Sequence, residues 1–126
     1  MKAFTAFVLG VLLTALLLSG IGTGVAQDPV KEHPDMFKVL LENDRVRVID
    51  DRVPAGAKVS MHSHPEYVVY PLSSYTMKFT FPDGTTRIVD VQKGTARYSQ
   101  GIVHAEENIG STDAHALLVE IKVPAR

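Results

Sequence analysis

Beyond residue 27 the apolar positions never keep a helical period for three turns. They alternate with polar ones in short runs, and turn residues punctuate them. This pattern predicts strands over 37–41, 45–53, 58–64, 67–72, 75–81, 86–91, 95–98, 104–108 and 115–123. Residues 28–36 (DPVKEHPDM) are charged and proline-bearing and read as a lead-in, with His33 solvated. Pro82-Asp83-Gly84-Thr85 is the clearest hairpin signal, placing Pro and Gly where a tight turn wants them. Alternation also assigns faces. Met77, Phe79 and Phe81 share one, and Leu117, Val119, Ile121 and Val123 are expected to form the buried side of the last strand. In the third strand, Val59 and Met61 fall opposite Lys58, Ser60, His62 and His64. Many short strands with regular turns give an all-β fold, and a small jelly-roll β-barrel is the economical way to bury their edges.

The first segment follows another pattern. Lys2 is followed by an uncharged stretch from Ala3 to Ala26, apolar over 4–18, with small residues at Gly24-Val25-Ala26. That is the layout of a secretory signal peptide, so cleavage is expected after Ala26. Residues 27–126 then form one domain that is periplasmic or secreted, with no membrane attachment after cleavage.

The composition narrows the chemistry. The chain has 126 residues, 13 Lys and Arg against 14 Asp and Glu, and a formal net charge of -1. Nucleic-acid binding asks for a basic face, which this balance does not supply. With no Cys there are no disulfides, no thiolate nucleophile and no Cys-type zinc or iron–sulfur site. No Gly-rich phosphate loop or serine elbow appears.

Histidines are the informative residues. His62 and His64 stand at i and i+2 of a predicted strand, so they project to one face. A half-exposed strand with two solvated histidines and a polar pocket offering two neutral imidazoles to a metal are equally compatible with that pair. Of the others, His115 reads as a strand-start residue. Asp50-Asp51 and Glu106-Glu107 are adjacent pairs whose members point to opposite faces, which makes poor acid/base dyads. Tyr67, Tyr70, Tyr75 and Tyr98 are pocket or core residues.

Gly56-x5-His62-x-His64 resembles the first motif of the cupin superfamily. Gly94 followed by Ser99-x-Gly101-x2-His104-x3-Asn108 resembles the second. The resemblance spans about residues 45–123 and implies a small barrel in which His62, His64 and His104 converge on one metal. Two departures stand out. The carboxylate position of the first motif falls on Val68 or Val69, and the proline of the second is Ser99. Glu66 shares the parity of His62 and His64 across Pro65, which makes it the candidate fourth ligand.

Three imidazoles with open positions suit one divalent transition metal, Zn, Fe, Mn, Ni or Cu. Three readings follow: a metal-binding cupin with a small-molecule ligand, a metal-dependent dioxygenase or other oxidoreductase, and a metal-free binding or structural domain. The sequence identifies no acid, base or nucleophile beside the three histidines. The apolar run 37–41 (FKVLL), on a strand expected at an edge, adds the expectation of a homodimer.

Overall fold

The computed structural model describes residues 26–123. The expected signal peptide therefore falls almost wholly outside the described residues, among which no helix is long and apolar enough to cross a membrane. A short helix, α1 (Pro29–Glu32), precedes nine strands: β1 (Phe37–Glu42), β2 (Val46–Val53), β3 (Lys58–His64), β4 (Tyr67–Pro71), β5 (Tyr75–Thr80), β6 (Thr86–Val91), β7 (Arg97–Ser99), β8 (Ile102–Asn108) and β9 (Ala114–Ile121). Two antiparallel sheets face each other, one ordered β1-β2-β9-β4-β7 and the other β3-β8-β5-β6. This is the expected all-β jelly roll.

Local chemistry explains the joints. Between β5 and β6, Phe81 N–H donates to Thr85 O at 2.9 Å, and the Asp83 carboxylate takes the Thr85 N–H and hydroxyl. Buried Asn108 ties three loops, donating to Val53 O and Thr112 O and accepting from Gly110 N–H. Gly101 has φ +113°, and a Cβ there would stand 3.2 Å from His64 O. Only glycine lets the entry to β8 pass so close to β3.

The core between the sheets holds Phe37, Ile49, Val53, Val59, Met77, Ala114, Ala116 and Leu118. Two of its faces differ from the alternation reading. In β9 the inward side is Ala114, Ala116, Leu118 and Glu120, while Leu117, Val119 and Ile121 lie half-buried on the outer face. The polar residue of the strand is inside because it is paired there, as shown below. In β3 the register against β8 shifts between Val59 and His62. This bulge puts Val59 on the same buried side as His62 and His64, leaving Ser60 exposed.

The lead-in is ordered. Asp28 caps α1, accepting from Val30 N–H at 3.1 Å, and the helix packs against both β1 and β3. Those are the edge strands on one side of the two sheets; β6 and β7 are the edges on the other.

Candidate metal centre

The bulge and the β3–β8 pairing assemble the site. His62 and His104 are direct cross-strand partners, and His64 follows two residues on, facing the same way. The three side chains are buried, at 0%, 5% and 2% exposure for His62, His64 and His104. They form a compact cluster of imidazoles, with ring centroids 4.7–5.6 Å apart. Phe79 stacks on His104 and Phe37 tilts against His62.

Hydrogen bonding fixes which ring nitrogens are free. Nδ1 of His62 lies 2.8 Å from Ser60 O, which can only accept, so Nδ1 carries the proton. Nδ1 of His64 lies 2.9 Å from Glu120 Oε1. Burial opposes the Glu120 charge, but His64 and Arg47 outweigh it and hold this carboxyl below the usual range, so it accepts. Both histidines therefore present Nε2 lone pairs, and those two atoms are 3.1 Å apart. Lone pairs at that separation repel unless a proton or a cation sits between them. Burial is the largest cause pushing the His62 pKa down to about 4, with His64 and His104 adding to it. A proton on His62 is therefore disfavoured at neutral pH.

The carboxylate that joins them is Glu106, not Glu66. Ligand atoms of His62, His64, His104 and Glu106 all lie within 4.8 Å of one another. Glu106 Oε1 is 3.0 Å from His104 Nε2 and 4.0 Å from His62 Nε2, with its side chain 9% exposed. Desolvation works against its charge, yet the three histidines hold its pKa low. Glu66 instead sits beyond Pro65, accepts from the Tyr98 hydroxyl at 2.8 Å, and gives its backbone carbonyl to Ile121 N–H. The proline ends β3 after His64, so the parity that selected Glu66 does not carry across it. Glu106 was legible as i+2 of His104 on one strand, the same spacing that linked His62 to His64. His115 is apart from the cluster, bonded to Asp50 at 2.7 Å. His33 is half-buried and bonded to Ser60, contrary to the solvated reading.

A cavity of about 340 Å³ extends between the sheets from this cluster. Apolar and aromatic walls, among them Tyr67, Tyr75, Met77 and Val89, connect the cluster to Arg87, Arg97 and Tyr98. Arg87 and Arg97 are exposed and lie on the edge strands β6 and β7, so the mouth is there. Asp51 also lines the cavity, and its Oδ1 is buried without a hydrogen-bond partner. Burial, then the charges of Glu106 and Asp50, push its carboxyl well above the usual range. The Asp50-Asp51 pair does point to opposite faces; the structure adds that the inward member is an acid beside the cluster.

No protein-family profile matches this sequence. No curated protein matches it either. Solved structures do. A cupin domain from Bordetella pertussis Tohama I has a TM-score of 0.65 and 27% identity, over 70% of this chain and 93% of that one. An RmlC-like cupin with a double-stranded β-helix fold from Methanocaldococcus jannaschii has a TM-score of 0.56 and 17% identity, over 69% and 79%. A predicted oxalate decarboxylase from Thermotoga maritima has a TM-score of 0.51 and 24% identity, over 69% and 79%. The fold is that of these cupins, and the likeness supports a place in the cupin superfamily.

The residues present fit a metal. Nδ1 of His104 is buried without a hydrogen-bond partner, and its Nε2 meets only the Glu106 carboxylate, so this imidazole has donor capacity that the protein does not use up. The 3.1 Å between the His62 and His64 nitrogens matches two donors on one ion, which at bond lengths of about 2.1 Å stand roughly 3.0–3.4 Å apart. His62, His64, His104 and Glu106 would hold it. When bound, such an ion polarises an oxygen ligand or lowers the pKa of a bound water. The chain contributes fixed tautomers on His62 and His64, an apolar and aromatic wall and a second carboxyl, Asp51.

Proposed function

We propose that this protein is an exported metal-binding cupin whose cavity takes a small anionic molecule. The observation that carries this reading is the buried three-histidine, one-carboxylate cluster at the inner end of a cavity. Charge supports the anionic ligand. A dication held by neutral histidines and Glu106 leaves one net positive charge, and burial, with the charges of Glu106 and Asp50, disfavours a further negative charge on Asp51. Among the described residues, Arg87 and Arg97 at the mouth make no ion pair with an acidic side chain. Guanidinium groups suit a carboxylate by their forked geometry. Export rests on the first 26 residues, and a homodimer on the apolar outer face of the larger sheet.

A metal-dependent oxidoreductase is the second reading, favoured by the unpartnered acid beside the cluster. Oxygen uptake by the iron-loaded protein, screened against small carboxylates, decides for it or against it.

Metal content of exported protein tests the main reading. One transition metal ion per chain is expected in the wild type and in Glu66→Gln, and most of it should be lost in Glu106→Gln. Retention in Glu106→Gln with loss in Glu66→Gln would return the carboxylate role to Glu66. A wild-type protein that stays metal-free with divalent ions supplied is a metal-free binding domain. Benzoate and its neutral counterpart benzamide then probe the ligand. Benzoate alone should bind the zinc-loaded protein, and Arg97→Gln should weaken it.

A further inference from the structure

The two metal-facing histidines of β3 are not held by the barrel alone. The first described residues reach the anchor of each. Gln27 pairs with His62 as a parallel bridge, and Ser63 N–H, between the two histidines, donates to Gln27 O at 3.1 Å. His33 Nε2 accepts from Ser60 N–H at 3.2 Å and lies 2.9 Å from the Ser60 hydroxyl. Ser60 is the residue whose carbonyl fixes the His62 ring. On the other side the Asp28 carboxylate receives Arg47 Nη1 and Nη2 at 2.8 and 3.1 Å. Arg47 Nε then donates to Glu120 Oε2 at 2.7 Å, and Glu120 Oε1 receives His64 Nδ1 at 2.9 Å.

We propose that residues 27–33 form a strap that positions both β3 histidines for the metal, with Asp28 and His33 as its positioning residues. This rests on the metal-centre reading above. The strap works through two separate links, one neutral and one ionic, that end on different imidazoles. Groups holding the outer nitrogen of a ligating histidine fix its tautomer and orientation and raise its basicity. Here Ser60 O and Glu120 are those groups, and the strap holds them in turn. One side chain also serves two ends: Asp28 both caps α1 and anchors Arg47, so forming the helix and setting the ionic link are a single event. Cleavage after Ala26 would leave the strap whole. Its position across the β1 and β3 edges allows a simpler reading, a plug that only seals the sheets. That reading predicts lower stability without a change at the metal.

The test compares wild type, Asp28→Asn, His33→Ala and the control Glu32→Gln, each as the exported protein. Asparagine keeps the helix cap and removes the charge that Arg47 needs. Zinc affinity is measured by chelator competition, and the visible spectrum of the cobalt-loaded form reports ligand geometry. Both are taken well below the unfolding midpoint of each metal-free variant. Outer partners of ligating histidines typically carry 10–100-fold in affinity, so one step further out a loss of about tenfold is expected for each strap variant. The cobalt bands should shift in both, and Glu32→Gln should match wild type. Wild-type affinity and spectrum in both strap variants would overturn the strap and leave the metal centre standing. If Asp28→Asn does not fold, His33→Ala decides by the same two readouts. A wild type that binds neither zinc nor cobalt defeats the metal reading, and the strap with it.

Discussion

Asp51 shows how a single buried side chain is governed by its surroundings. Its Oδ1 has no partner, and the apolar cavity and nearby Glu106 both disfavour its charge. The folded-state pKa is raised above the unfolded value near 3.8, so the folded state binds more protons between the two. By linkage, stability is full below the unfolded pKa and declines as pH rises toward the folded one. Asparagine has nearly the same shape, cannot ionise, and offers an N–H toward Glu106. Asp51→Asn should therefore raise the unfolding midpoint of the metal-free protein at pH 7, with the difference shrinking as pH falls toward about 4. A midpoint difference that grows on acidification would show that the carboxylate is stabilised in the fold instead. Asp28 and Asp50 carry the opposite sign. Burial opposes their charges, but pairing with Arg47 and with Arg52 and His115 outweighs it, so their contribution is lost as pH falls through their lowered values.

Among the elements, β9 and β3 separate what alternation can reveal from what it cannot. Nine strands, the β5–β6 hairpin and the placement of His62, His64 and His104 were legible, because period-two patterning and turn chemistry are local. Choosing between the faces of β9 was not. Ala116 and Leu118 on one side compete with Leu117, Val119 and Ile121 on the other, and Glu120 argued for an exposed inner parity. Its partners Arg47 and His64 are 73 and 56 residues away, and only tertiary structure brings them in. The bulge in β3 was hidden for the same reason, since it exists only in the register against β8. Glu66 lies outside the cluster, past Pro65 where strand direction resets, whereas Glu106 follows the simple i+2 rule on an unbroken strand. The assignment of the β9 face can be measured. Leu118 is 4% exposed, so Leu118→Ala should cost about 2–5 kcal/mol in urea denaturation of dilute protein. Leu117 lies half-buried on the outer face, and Leu117→Ala should cost about 1 kcal/mol, half the transfer free energy of a buried leucine. The reverse order would restore the alternation reading.

At the scale of the molecule the two sides of the sandwich are used differently. The β1 and β3 edges are bridged by α1 and its flanking residues, and the β6 and β7 edges frame the mouth with two arginines. The histidine cluster thus lies between a closed side and an open one. The outer face of the larger sheet has a separate character. Leu41, Val48, Val119, Val68 and Tyr98 are successive cross-strand partners and make one apolar row across all five strands. Leu41 and Tyr98 at its ends are 50% and 59% exposed, and Leu40 beside it is 60% exposed. A row of this kind is self-complementary about a two-fold axis, since each copy can lay the same residues against the other. Light scattering at micromolar concentration should accordingly give twice the chain mass. Leu41→Lys places a charge at the rim of the face on an edge strand, where the fold tolerates it. That variant should give about one chain mass with unchanged metal content, because the row lies on the side of the sheet away from the cluster. A monomeric wild type would show that this face is solvated. A dimeric Leu41→Lys would move the contact elsewhere on the surface.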